Sequence, residues 1–266
     1  MNLAISRLHV VIPARYNSRR LPGKPLVDLA GKPMVVRVYD KVRAALPDSQ
    51  IVVAVDDERV LKVLQHHGAS TTMTDPAHQS GTDRCAEVAR HQLWADDDIV
   101  INVQGDEPLV PTDMLQAFAK FCNDRTNFCM GTIAAPISSR SQIRDPNVVK
   151  VIRDIDGRAI NFSRAPIPYA RDLTEADWPV ENYLHHVGVY AYRNATLHTL
   201  TETPPCALEN IEMLEQLRAL WLGIQIDVML WPHEPPGGVD TADDVQRVAK
   251  IFDDDTAHRC YAAREA

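Results

Sequence analysis

The sequence predicts an α/β protein: a mostly parallel central sheet with helices on both faces. Three observations carry this. Short apolar runs of strand length alternate with segments whose apolar residues recur at helical spacing. The first three runs each stop abruptly at a polar stretch. After about residue 128 the rhythm turns towards hairpin signals, which predicts an added antiparallel part.

Taken in order, Leu8 to Ile12 is the first strand and ends at Pro13. Pro33 fits the first position of a helix, where its missing N–H is not needed. Met34, Val38 and Val42 then recur every fourth residue. "IVVAV" (Ile51 to Val55) reads as a buried strand. Asp56, Asp57 and Glu58 open the next helix, where carboxylates meet the positive end of its dipole. "IVINV" (Ile99 to Val103) repeats the strand signal and breaks at "QGDEP", with Thr112 as cap of the following helix. "VVKVIRD" and "RAINF" flank an Asp156-Gly157 turn and predict a hairpin. "HHVGVYAYR" (His185 to Arg193) predicts a strand with Val187, Val189 and Ala191 on one face. The proline-rich segment from "SRAPIPYARD" to Pro179 is long enough for a loop to point to function. Leu208, Ile211, Leu214, Leu217 and Trp221 predict one apolar helix stripe flanked by Glu209, Glu212, Glu215 and Gln216. "IQIDVML" is a late strand, and Thr241 opens a last helix. No repeat, low-complexity tract or linker interrupts the chain, so a single domain over residues 1–266 is expected.

The 266 residues suffice for a full core, and 45% hydrophobic with 24% charged residues is an ordinary globular balance. A net charge of -8 argues against nucleic acid as partner, which calls for a basic face. No apolar run is long enough for membrane insertion. Arg7, His9 and Arg15 break up the N-terminal apolar stretch, so no secretory leader is expected. Five scattered cysteines (Cys85, Cys122, Cys129, Cys206 and Cys260) suit a reducing compartment, and the expected location is the cytoplasm. Without CxxC or HExxH, a zinc site has no sequence support.

In open α/β sheets, ligands collect beyond the carboxyl ends of the strands. The loop after the first strand, "IPARYNSRRLPGKPL", gathers Arg15, Arg19, Arg20 and Lys24 on a backbone stiffened by prolines. It matches neither common phosphate-loop motif. It reads either as a polyphosphate cradle of bidentate arginines and a lysine point charge, or as a solvated basic loop. "NVQGDEPLV" sets Asp106 and Glu107 just past a buried strand, either as Mg²⁺ ligands beside phosphate or as an acidic turn. Asp240 in "GVDTADD" is a second metal contact or an ordinary helix start. There is no GxSxG elbow and no cysteine in a reactive setting, which favours direct displacement over a covalent enzyme intermediate. His66, His67 and His233 read as structural or exposed.

Seven stretches, "IPARYNSRRLPGKPL", "HQSGTDR", "VNVQGDEPLV", "FSRAPIPY", "HHVGVYAYR", "LENIEMLEQLRALW" and "GVDTADD", occur in order across nearly the whole chain. Together they resemble the 3-deoxy-manno-octulosonate (Kdo) cytidylyltransferases, the CMP-Kdo synthetases of Gram-negative bacteria. The resemblance thins from Asp253 to Ala266. It implies a Rossmann-like nucleotidyltransferase fold, a homodimer and Mg²⁺ dependence. The implied reaction joins CTP and Kdo to give CMP-Kdo and pyrophosphate for lipopolysaccharide synthesis. Carried over by position, Arg15, Arg20 and Lys24 face the triphosphate and, with Asp106, form the catalytic set. His78, Ser80, Gly81, Thr82 and Arg84 complete the nucleotide side, and Asp106 and Asp240 are the metal ligands. Gln104, Arg164, His186, Tyr190, Glu215 and Gln216 contact the sugar. Residues 128–200 would then form a sugar-binding or dimerisation subdomain.

The rival readings are a cytidylyltransferase for another acidic sugar, such as an amino-Kdo or a sialic acid, and a nucleotide-binding protein without turnover. "RLPGKP" favours the Kdo type over the sialic acid type, and the retained acids and cations favour turnover. The implied chemistry brings two anions together. Unit charges 4 Å apart repel by roughly 4 kcal/mol at an effective dielectric of 20. A chain of net charge -8 must neutralise them locally, which explains why its cations gather in one loop. The attacking hemiketal hydroxyl is more acidic than a simple alcohol, so metal polarisation suffices without a dedicated base.

Overall fold

Val10, Val11 and Ile12 are fully buried, as a strand inside a sheet requires, and they form the middle of β1 (Leu8–Ala14). The computed structural model describes residues 7–18, 20–125 and 127–262, the last eight as backbone only. Arg19, the side chain of Cys260 and the residues before Arg7 lie outside the described part. After β1 come two short strands, β2 (Asp28–Leu29) and β3 (Lys32–Pro33), and helix α1 (Met34–Ala45). β4 (Gln50–Val55), α2 (Glu58–His66), β5 (Thr71–Met73), α3 (Gly81–His91), β6 (Ile99–Asn102) and α4 (Thr112–Asn123) continue the alternation. The changed rhythm follows with β7 (Met130–Pro136), α5 (Arg140–Arg144), β8 (Lys150–Arg153), β9 (Ala159–Ser163) and β10 (Leu184–Arg193). Three short helices, α6 (Asn194–Glu202), α7 (Ala207–Glu212) and α8 (Gln216–Trp221), precede β11 (Ile226–Leu230) and the long α9 (Ala242–Ala262).

The chain divides into two compact units. The N-terminal unit takes Val10–Val88, Val103–Leu115 and Pro236–Ala266; the central unit takes Met1–His9, Ala89–Asn102 and Gln116–Pro235. In the N-terminal unit the strands lie in the order β1-β4-β5, with β5 parallel to β4. One apolar cluster there joins Leu29 and Met34 to Val239, Val248 and Phe252 of the distant C-terminal segment. Arg37 reinforces it. Its guanidinium lies 4.3 Å above the Phe252 ring and donates to the carbonyls of Leu29 and Ala30. This packing carries the residues just before α9 to the loop that follows β1.

In the central unit the order is β11-β7-β10-β6. β11 runs parallel to β7, while β10 runs antiparallel to both β7 and β6. Three of these four strands therefore share a direction, and the fold is α/β with a mostly parallel sheet. The hairpin β8–β9 turns at Gly157, whose φ of +83° suits glycine, and β8 extends the antiparallel part along β10.

Four local expectations change. Pro33 is the residue before the helix rather than its first. Thr112 is the first residue of α4 itself. Val187 does not share the buried face of Val189 and Ala191: the register of β10 against β7 shifts between Val187 and Tyr190, and Val187 is left half-buried. The stripe expected from Leu208 to Trp221 is no single helix. Met213, at φ +52°, ends α7 in the left-handed region. Leu208, Ile211 and Trp221 are 53%, 79% and 61% exposed, whereas the expected flank residues Glu209 and Gln216 are buried. A bidentate ion pair explains the inversion. Arg218 holds both carboxylate oxygens of Glu209 and also donates to the carbonyls of Leu200 and Thr203, drawing the polar side of α7 and α8 inwards.

Candidate active site

A cavity of about 490 Å³ opens in the N-terminal unit. Its walls come from the loop after β1, the residues leading into α3, the segment after β6, and Asp240. Gly105 sets the spacing of two walls. Its N–H donates to the Pro13 carbonyl at 3.2 Å, and a Cβ at this position would stand 2.5 Å from that oxygen, so only glycine fits. The Val239 N–H donates to the Asp106 carbonyl at 2.9 Å, which brings the Asp240 segment alongside.

Lys24 sits at the meeting point. Its Nζ lies 2.5 Å from Asp106 Oδ2 and 2.9 Å from Asp240 Oδ1. Arg20 approaches the same Asp240 oxygen at 2.9 Å from the exposed side. Burial works against the Lys24 ammonium, but the charges and hydrogen bonds of Asp106 and Asp240 outweigh it and hold its pKa above the ordinary value. Glu107 is raised too, but in its case this favours the neutral form: burial, with the Asp106 charge adding and Lys24 opposing, pushes its carboxyl up to about 8. Arg15 lines the cavity and is exposed.

Asp106 and Asp240 thus converge on one cationic point. A hard divalent ion with one or two protein carboxylates, completed by phosphate and water oxygens, fits this donor set. Among the described residues no group of three or more His, Cys, Asp or Glu gathers as a metal cluster.

Of the other nucleotide-side residues, His78, Ser80, Gly81 and Arg84 line the same cavity, as does Gln104. Thr82, on the first turn of α3, lies outside that lining. Ser80 and Asp83 cap the start of α3 reciprocally: Ser80 Oγ donates to Asp83 Oδ2 at 2.9 Å and accepts from the Asp83 N–H at 3.1 Å. His78 Nε2 lies 2.6 Å from Glu87 Oε2. Arg84 is buried, and its guanidinium donates to Asp56 Oδ2 at 3.0 Å and to Thr74 Oγ1 at 2.7 Å.

The remaining sugar-side residues belong to the central unit. His186 is buried, its Nε2 3.0 Å from Thr132 Oγ1 and its ring packed edge-on against Phe162. Burial, aided by His185, pushes it down to about 3, so it is neutral at physiological pH. Its neighbour Tyr190 has a phenol held well above its ordinary value by burial, with Tyr192 and Glu215 adding. Gln216 opens α8, and its buried Nε2 has no hydrogen-bond partner among the described residues. Arg164 donates to three backbone carbonyls, those of Glu212, Met213 and Pro146. It leaves two of its five N–H groups for other partners.

An α/β unit with cations and paired acids around one cavity past its strands has the make-up of a nucleotide-transferring enzyme. The family model described as cytidylyltransferase matches residues 9–226, and the chain belongs to that family. It is 58% identical over 246 residues to the 3-deoxy-manno-octulosonate cytidylyltransferase 2 of Paraburkholderia phytofirmans, covering 92% of this chain and 94% of that protein. It is 46% identical to the 3-deoxy-manno-octulosonate cytidylyltransferase of Pseudomonas fluorescens, over 93% of this chain and 99% of that one. Among solved structures, CMP:2-keto-3-deoxy-manno-octonic acid synthetase complexed with CTP superposes with a TM-score of 0.86 at 37% identity, over 94% of this chain and all of that one. A 4-diphosphocytidyl-2C-methyl-D-erythritol synthase, at 12% identity and a TM-score of 0.62 over 93% of this chain and 98% of that one, shares the fold.

The sequence marks Asp56 only as a helix-start acid and Glu209 only as a helix-flank residue, and does not single out Thr132 or Arg218. The signal for Asp56 was present: it directly follows a buried strand, where sheet ligands gather. Nothing in the local pattern marks Thr132 or Arg218, or pairs Glu209 with an arginine nine residues on.

Proposed function

We propose that the chain transfers the cytidylyl group of CTP to Kdo, releasing pyrophosphate and yielding CMP-Kdo for lipopolysaccharide. One observation carries this reading: Lys24, Asp106 and Asp240, from three distant segments, meet at a single cavity bordered by Arg15 and Arg20. The family membership supplies the nucleotide and the sugar.

In this reading Arg15, Arg20 and Lys24 bind the triphosphate and offset its charge, with guanidinium groups suited to paired phosphate oxygens. The nucleoside side is held by His78, Ser80, Gly81, Thr82 and Arg84. Asp106 and Asp240 hold Mg²⁺, which when bound offsets charge on phosphate oxygens and on the departing pyrophosphate. Gln104, Arg164, His186, Tyr190, Glu215 and Gln216 bind Kdo. His186, neutral, offers a hydrogen bond rather than a charge, and the unpartnered Gln216 Nε2 supports a donor role. The anomeric hydroxyl gives up its proton to solvent and its oxygen forms a bond to the α-phosphorus as the bond from that phosphorus to the β-phosphate oxygen breaks, releasing pyrophosphate in one direct displacement.

Residues 1–266 act as one nucleotidyltransferase domain, with about 128–200 serving the sugar and the dimer. A homodimer is supported by the exposed apolar side chains of Leu208, Ile211, Met213 and Trp221, which follow that stretch in the central unit and extend the proposed dimer face beyond it. No described helix is long and apolar enough to cross a membrane. The reading places the protein in the cytoplasm, where CTP is made.

The test is pyrophosphate release with CTP, Mg²⁺ and a panel of acidic sugars, with ATP, GTP and UTP as controls. Turnover requiring both CTP and Kdo is expected. Turnover with a sialic acid but not with Kdo would overturn the substrate assignment.

A further inference from the structure

We propose that Asp56 is a positioning residue for the nucleotide, tying the cation-bearing loop after β1 and the start of α3 to a single carboxylate. Asp56 directly follows β4, and its side chain is 4% exposed. It is not needed as a helix cap, because Asp57 fills that role. One oxygen, Oδ1, accepts from the Tyr16 N–H at 2.8 Å. The other, Oδ2, accepts from Arg84 Nη2 at 3.0 Å. The second arm of Arg84 is also immobilised, since Nη1 donates to Thr74 Oγ1, which in turn donates to the Val55 carbonyl at the end of the same strand. Two walls of the cavity, one carrying Arg15, Arg20 and Lys24 and the other His78 to Arg84, are thereby held to one group.

The loop side has a second fastening around the same residue. The Arg59 guanidinium lies 3.7 Å from the centre of the Tyr16 ring, and Asp57 holds it there in a bidentate pair at 2.7 and 2.8 Å. Where the loop returns, Gly23 adopts φ +69° and a Cβ on it would stand 3.1 Å from Tyr16 Oη. Arg15 directly precedes Tyr16 and Lys24 directly follows Gly23, so the two cations at the ends of the loop flank this clasp. Asp56 also balances the Arg84 charge within the pair. Arg84 therefore contributes placement of the wall more than charge for the phosphates. Ordering these groups before the nucleotide arrives removes an entropic cost from binding.

The inference rests on the reading that this cavity takes CTP. The experiment measures the CTP Kd by calorimetry, KM for both substrates and the thermal midpoint, in wild type, Asp56→Asn and Arg59→Ala. In folded Asp56→Asn, the Kd and KM for CTP are expected to rise about tenfold, with KM for Kdo changed less than twofold. In Arg59→Ala, an exposed position, the CTP Kd is expected to rise about threefold at an unchanged thermal midpoint. If Asp56→Asn does not fold, Arg59→Ala decides. A CTP Kd within error of wild type, an equal rise in both KM values, or a lowered midpoint with unchanged Kd overturns the inference. Wild-type protein that fails to bind CTP refutes the cavity assignment and the inference with it. Wild type that binds CTP beside variants that bind it equally refutes the inference alone.

Discussion

Lys24 and His186 are both polar side chains held inside the protein, 9% and 7% exposed, yet their surroundings drive them in opposite directions. Around Lys24 the N-terminal unit sets two carboxylates, and their charges keep the ammonium ionised against its burial. Around His186 the central unit sets Thr132, Phe162 and Tyr190, and burial keeps the imidazole neutral. Asp106 and Asp240 remain partly open to solvent, with side chains 36% and 49% exposed, so ions and phosphates can reach them. Under the proposed function, this difference suits one chain to two kinds of recognition. A polyphosphate calls for fixed charge at an open cavity, whereas sugar hydroxyls call for neutral hydrogen-bonding groups on a dry, rigid support.

That contrast can be broken most sharply at Asp106. Asp106→Asn is expected to lower turnover by about 10²–10³-fold with the fold intact, read by pyrophosphate release and circular dichroism. Near-wild-type rates at limiting Mg²⁺ would remove Asp106 from the proposed metal site. Arg218→Met attacks the central unit instead. Leaving Glu209 buried without its partner is expected to cost about 3 kcal/mol in urea denaturation, with the CTP Kd within twofold of wild type. A weakened CTP Kd at unchanged stability would contradict a purely structural role for the Glu209–Arg218 pair.

Lys24→Ala comes next. The value of kcat/KM for CTP is expected to fall about thirtyfold, or ~2 kcal/mol, while KM for Kdo stays within twofold. An equal loss for both substrates would rule out a triphosphate-specific role. The neutrality of His186 gives a pH test. Its folded pKa of about 3 lies below the ordinary 6.5, so between these values the unfolded chain binds the extra proton and stability falls as the solution is acidified. This group alone contributes up to about 1.4 kcal/mol per pH unit in that window and nothing above it. His186→Phe should flatten the acid side of a stability profile between pH 4 and 6, measured by urea midpoints. An unchanged slope would show that His186 is not held neutral. Ile211→Ser, at a position 79% exposed, should shift stability by less than about 0.5 kcal/mol while dissociating the proposed homodimer in sedimentation experiments. A dimer of undiminished strength would move the interface elsewhere.

The strands were legible because buried strands are short continuous apolar runs: "IVVAV" and "IVINV" sit within one residue of β4 and β6. The hairpin was legible because Asp-Gly supplies the turn backbone it needs. The helix at 207–221 was not, because periodicity records which residues could face a core and not which side the core lies on. There the Glu209–Arg218 pair outweighed the apolar stripe. The register shift in β10 was equally hidden, since extra residues on one strand are defined only by its partner strand.

The order of strands and helices and the kinds of charge on each loop can be read along the chain, because backbone propensity and side-chain chemistry are local properties. The sequence could nominate Lys24, Asp106 and Asp240 one at a time. Only the tertiary structure decided that these three share a point in space, and that Asp56 joins Tyr16 to Arg84. The physical reason is that Coulomb and hydrogen-bond energies depend on distances through space, and for residues up to 216 positions apart those distances follow from packing.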